Sequence, residues 1–150
     1  MQMIRIVAVA ATAAGIASCA GGTRSAADPP QPEFVPGGTL AQVYYWRAKS
    51  GKLDEYSKYI RELAEPIDHE AQRRGAFLTV TTYVAHDTAS AWTHMRVFIL
   101  RDSAQLKGLS VALDSAGIRL EPDSTKRRVR SAYSATLRDR VGAVTVEVLR

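Results

Sequence analysis

The chain has 150 residues, a formal net charge of +5 and a single cysteine. That length suits one domain of ordinary size, and one cysteine excludes an intramolecular disulfide, so core burial must hold the domain together. The excess charge sits late, in Lys126-Arg127-Arg128-Val129-Arg130 and in Arg138 and Arg140; no RNA- or DNA-binding signature accompanies it, which argues against nucleic acid as a partner and reads the run as a solvated helix face.

Residues 1–18 open with one cation, Arg5, run through the apolar stretch Ile6 to Ile16 and end in small residues. This is the order of a secretory signal, whose apolar part is about 7–15 residues long. A transmembrane span needs roughly 20, and Gly21-Gly22-Thr23-Arg24 ends the run too early for that. Ile16-Ala17-Ser18-Cys19 resembles the lipobox of bacterial lipoproteins. The resemblance implies cleavage after Ser18, diacylglycerol on the Cys19 sulfur and fatty acylation (palmitate) of the new amino terminus, with membrane lipid as the partner. Ala20 stands where an acidic residue would hold such a protein at the inner membrane, so the resemblance further implies the cell envelope, at the periplasmic face of the outer membrane.

Residues 19–39 read as a flexible tether. They carry Gly21, Gly22, Gly37, Gly38 and four prolines (Pro29, Pro30, Pro32, Pro36) and almost no apolar periodicity; such a chain is extended and reaches at most roughly 60 Å. Residues 40–150 form the domain. Leu40 to Arg47 alternates and is rich in β-formers, predicting a strand. From Lys52 to Arg74 the period changes: Leu53, Tyr56, Ile60, Leu63, Ile67 and Ala71 fall on one face of a helix, which Pro66 should kink or split and Gly75 should stop. Phe77 to Ala85 and Trp92 to Leu100 are two further strands around a short hairpin loop. Asp102 offers an N-cap, with Gln105 three residues on as in a capping box; the helix carries Leu106, Leu109 and Leu113 and is expected to end at Gly117. Pro122-Asp123-Ser124 starts another helix, bearing Val129, Tyr133, Leu137 and Val141 at four-residue spacing, with Gly142 as its stop. Val144 to Leu149 is a last strand.

The order β-α-β-β-α-(α)-β predicts an α+β, ferredoxin-like fold: two split βαβ units, a four-stranded antiparallel sheet of order 4-1-3-2, and helices on one face. Val43-Tyr44-Tyr45-Trp46-Arg47 followed by Lys49-Ser50-Gly51-Lys52, Gly75-Ala76-Phe77-Leu78 and Trp92-Thr93-His94-Met95 resemble the dimeric α/β-barrel superfamily over about residues 40 to 150. The resemblance implies that fold and permits an activity of the monooxygenase or isomerase kind found among cofactor-independent relatives. Strand alternation gives an independent reason to expect a homodimer. One face collects Val43, Leu78, Val80, Val84, Met95, Val97, Ile99, Val144, Val146 and Val148, expected under the helices. The other collects Gln42, Tyr44, Trp46, Phe77, Tyr83, Trp92, His94, Arg96, Phe98 and Leu149, an aromatic patch expected to be covered by a second copy.

Three histidines, His69, His86 and His94, lie on a helix, a loop and a strand, and none shares the spacing of a metal site, so no metal is expected. Glu62, Glu65, Asp68 and Glu70 read as the wet face of the first helix. No nucleophile motif, phosphate-cradling glycine loop or dinucleotide fingerprint occurs, and no cofactor is expected. The remaining candidates for a small-molecule site are His94 and Arg96 with Tyr44, Trp46 and Trp92 around them: an imidazole beside a fixed cation and phenol donors could orient or deprotonate an acidic ligand. The resulting expectation is a lipid-anchored binding or accessory protein; the alternative is a small cofactor-independent enzyme using His94 and Arg96. Replacing Cys19 with Ser is expected to leave an uncleaved or soluble precursor. Unchanged membrane fractionation of that variant would remove the lipid anchor from the account.

Overall fold

The computed structural model describes residues 37–87 and 89–148. The proposed signal, Cys19 and almost all of the tether lie outside the described residues. The strands are β1 (Leu40–Ala48), β2 (Thr79–Val84), β3 (His94–Leu100) and β4 (Arg138–Glu147), and the helices α1 (Leu53–Tyr59), α2 (Glu65–Arg73), α3 (Ser103–Leu120) and α4 (Ser124–Leu137). The sheet runs β2-β3-β1-β4 with every neighbouring pair antiparallel. This is the ferredoxin-like arrangement expected from the element order.

Between α1 and α2 the backbone forms a π-helical turn, Ile60–Ala64. Pro66 explains it: the ring has no N–H for the carbonyl of Glu62 and crowds it, so a continuous α-helix would leave a clash and a lost bond. The chain instead widens by one residue ahead of the proline, and the Glu65 N–H bonds the carbonyl of Ile60. Gly75 ends the segment with a φ of 80°, a left-handed backbone that suits glycine.

Asp102 caps α3 as expected, accepting from the N–H groups of Ala104 and Gln105. Gln105 departs from the capping box: its carbonyl accepts from the N–H of Arg101, and its amide donates to the carbonyl of Gly75. The helix does not stop at Gly117 but runs on to Leu120; Gly117 is buried, and a Cβ there would lie 3.6 Å from Arg130 and 3.7 Å from Ile67. Its small size serves the packing of α2 and α4 against α3. Asp123 caps α4, which ends at Leu137, four residues before the expected end. The chain passes straight into β4, where Tyr45 faces Gly142 and Trp46 faces Arg140, so Val141 is the extra residue of a β-bulge and not a helical core position.

β1, β3 and β4 turn their faces the reverse of the sequence expectation, while β2 keeps to it, with Val80 and Val84 toward the helices and Tyr83 on the other face. Phe77, Phe98 and Leu100 are buried in one cluster with Ala71 of α2 and Leu109 and Ala116 of α3, with Tyr44 and Val80 packed against it. The aromatic face therefore lies under the helices. Small residues on the inward helix faces (Ala71, Ala116) leave space that large rings on the sheet fill, which satisfies close packing as well as the opposite arrangement would. Ala41, Val43, Met95, Val97 and Ile99 form a second cluster joined by Tyr45, Leu78, Tyr83, Trp92 and Val148, all from the strands and their flanks. Among the described residues no helix lies over that face, and Val144 and Val146, whose β1 partners Val43 and Ala41 belong to it, remain 42% and 40% exposed.

Candidate ligand-binding site

β3 and β1 present their functional side chains in register. His94 is paired with Trp46 and Arg96 with Tyr44, and alternation sends all four toward the helix layer. Tyr44 lies 5.6 Å from Trp46 and 5.8 Å from Phe98, ring centre to ring centre. Four of the five expected ligand-site residues, Tyr44, Trp46, His94 and Arg96, are thus brought together. Trp92 is not among them. It precedes β3 in the bend, where it packs on Tyr45, 6.0 Å away, in the cluster of the other face.

His94 is fully buried. Its Nε2 lies 2.9 Å from the Ser57 hydroxyl and its Nδ1 2.9 Å from the Thr93 hydroxyl. Ser57 donates its own proton to the carbonyl of Leu53, one turn back, and the N–H of Ala48 donates to Thr93. This network assigns the tautomer: Nε2–H donates to Ser57, and Nδ1 accepts from Thr93. The Tyr56 ring stands edge-on to the imidazole with centres 4.4 Å apart. Burial pushes the His94 pKa down to about 4, so the ring is neutral at physiological pH. Burial likewise pushes the Tyr56 phenol up to about 12, the nearby Arg138 and Arg96 opposing it. Neither group is poised for proton transfer near pH 7.

Arg96 is 8% exposed and forms an ion pair with Asp68 of α2, itself 2% exposed. The guanidinium also lies 5.4 Å from the centre of the Phe98 ring. Its Nε has no hydrogen-bond partner among the described residues. Asp68 was expected on the wet face and is instead the internal counter-ion. Glu62 does stay outside, 3.9 Å from Lys58. Glu70 binds Arg73, Arg74 and Arg119 at 2.5, 2.7 and 2.9 Å, and bonds from Arg74, Arg73 and Arg119, in that order, hold its carboxyl down to about 2. These acids are structural. His69 and His86 are exposed, and among the described residues no three His, Cys, Asp or Glu side chains converge as a metal site would require.

Beside His94 a cavity of about 200 Å³ opens between the π turn and β2. Ser57, Ile60 and His94 line it with Thr82 and Val84 of β2, and Arg61 and Glu65 of the helix segment complete the wall. Ligand pockets for drug-sized molecules usually span about 300–1,000 Å³, so this one suits a smaller guest. The residues that sequence reasoning missed here, Ser57, Thr93 and Asp68, carry no motif. The available signal was a polar residue at the margin of an apolar helical stripe, which is common on any helix.

No family model matches the chain, and no curated protein does. Solved structures similar to it do exist. HapK from Hahella chejuensis is 14% identical, with a TM-score of 0.48 over 73% of this chain and 92% of that one. PA3566 from Pseudomonas aeruginosa is 16% identical, with a TM-score of 0.43 over 75% and 94%. A dimeric protein of unknown function and ferredoxin-like fold from Bacteroides fragilis NCTC 9343 is 8% identical, with a TM-score of 0.43 over 77% and 98%. The fold assignment rests on the strand order and connections described above, and these similarities assign no activity.

The neutral histidine makes a specific pH dependence. With the folded pKa near 4 and the unfolded one near 6.5, the unfolded chain binds the extra proton between those values. His94 therefore contributes its full stability above about pH 6.5, and the contribution is lost as pH falls toward 4. Denaturant melts between pH 7 and 4 should show a loss of about 3 kcal/mol that is absent in His94→Gln. Equal pH profiles for the two proteins would contradict the buried neutral state.

Proposed function

We propose that this chain is a lipid-anchored cell-envelope protein whose domain forms a homodimer and binds a small polar molecule in the cavity beside His94. The observation that carries binding over catalysis is the state of His94: both ring nitrogens are engaged and the ring is neutral. A general base needs a free lone pair within reach of the proton it takes. Here the imidazole supports a hydroxyl-lined wall, with Ser57 and Thr82 as the groups available to a guest. Arg96, charge-balanced by Asp68, does not line the cavity; its ion pair fixes β3 against α2.

The alternative, a cofactor-independent enzyme, draws on the 2.9 Å contact between Ser57 and His94. For the pair to transfer a proton, Ser57 must release the Leu53 carbonyl and His94 must change tautomer. Thr93 occupies the place where a carboxylate would stabilise the imidazolium, so the arrangement lacks the third member that makes such pairs effective.

A fragment screen followed by chemical-shift mapping tests the binding site. Perturbations should cluster on Ser57, Thr82 and His94 and disappear in Thr82→Phe, which fills the cavity; fragments that bind elsewhere, or none at all, would refute it. The support for the dimer is the aliphatic face centred on Val43, Val97 and Ile99, over which no described helix lies. Burying an unpaired carboxylate there is costly, so Val97→Asp should convert a dimer to a monomer at micromolar concentration in sedimentation. A wild-type monomer would refute the dimer.

A further inference from the structure

The outer surface holds a second concavity that the reading above does not use. It lies between α4 and the α1–α2 segment, has a volume of about 420 Å³, and is lined by Arg127, Arg130 and Arg138 together with Tyr59, Ser131 and Ser134. No carboxylate lines it. None of the three arginines forms an ion pair among the described residues. The contrast with Arg73, Arg74 and Arg119, which all converge on Glu70, is on the same helical layer.

Two of the three guanidiniums are held in place by neutral partners, and the third lies over the space beside a glycine. Arg127 donates through Nη1 to the carbonyls of Glu121 and Pro122, both at 2.7 Å. Arg138 donates through Nε to the Ser134 hydroxyl at 3.0 Å and lies 4.7 Å from the Trp46 ring centre and 5.6 Å from that of Tyr56. The Nη2 of Arg130 reaches to 3.6 Å from where a Cβ on Gly117 would stand. Carbonyl, hydroxyl and ring partners orient a cation without neutralising it. Three like charges around one concavity repel each other until an anion enters, and the positioning entropy of Arg127 and Arg138 is already spent before it does.

We infer that this concavity is a binding site for a small phosphate-bearing anion, gripped by Arg127, Arg130 and Arg138 with the Ser131 and Ser134 hydroxyls beside it. A free phosphorylated metabolite and a phospholipid headgroup share that chemistry.

Titration calorimetry on the full-length chain at low ionic strength tests it, with inorganic phosphate, glycerol 3-phosphate and monomeric dihexanoylphosphatidylglycerol as probes and dihexanoylphosphatidylcholine as the zwitterionic control. Saturable binding of at least one anionic probe is expected, weakened about tenfold or more in Arg130→Ala. Arg128→Ala, on the same helix but outside the concavity, should leave it unchanged. Preference for glycerol 3-phosphate would identify the soluble source, and preference for the phosphatidylglycerol the headgroup. Absence of saturable binding, an equal affinity for the phosphatidylcholine, or an equal loss in Arg128→Ala would each overturn the site. Thermal melts of both variants should match the wild type, so that a lost site is told apart from a lost fold.

Discussion

The buried ion pair between Arg96 and Asp68 ties the helix layer to the sheet. It joins the middle of β3 to α2 in a region where both partners are nearly inaccessible to water. Ion pairs of this kind add little net stability over an apolar replacement, but removing one partner alone typically costs about 3–5 kcal/mol. Their effect is on alternatives: a register slip of β3 or a rotation of α2 would leave a charge stranded in the interior. The position of His94 and the existence of the neighbouring cavity both depend on that fixed relation.

Around this pair the helix-facing interior is built of rings. Phe77 meets Phe98 edge-on at 5.1 Å, Tyr44 meets Phe98 at 5.8 Å, and Tyr56 covers His94. Most polar groups in this layer have partners: the imidazole between Ser57 and Thr93, and Gln42, which donates to the carbonyl of Val144 and accepts from Thr145. Arg96, whose Nε has none among the described residues, is held by its ion pair with Asp68. The site is thus rigid, neutral around the histidine, and shielded. Those properties suit recognition of a guest by shape and hydroxyl contacts better than they suit proton transfer.

The fold was legible because periodicity changes sharply along the chain: alternation in β1, three-to-four spacing from Leu53 to Ala71, alternation again in β2 and β3. Element ends were less so. Gly117 and Gly142 resemble helix stops in sequence, yet one packs inside α3 and the other sits in β4 next to a bulge. The grouping of Tyr44, Trp46, His94 and Arg96 followed from register and parity. Which face the helices cover did not follow, because aromatic and aliphatic residues are both good core material and only the small residues of α2 and α3 decide between them. Asp68 was hidden for a geometric reason. Twelve α-helical steps from Tyr56 would leave it about 120° away from the buried stripe, and the added residue of the π turn brings it back to about 20°. Val129 and Tyr133, spaced like an apolar stripe in the sequence, remain 63% and 41% exposed.

A π turn holds one residue more than the α turn it replaces, which makes the stretch Ile60–Ala64 sensitive to length in a way its composition does not suggest. Loss of a single codon there would leave eleven α-helical steps from Tyr56, again about 20° from the buried stripe. Asp68 would still face Arg96, and the proline would meet the carbonyl that the wide turn avoids, whereas one residue more would turn Asp68 about 100° away. Gain and loss of that residue are therefore not symmetric events in descent. A deletion in this stretch keeps the pair of Arg96 and Asp68, while an insertion strands the arginine unless a second wide turn absorbs it.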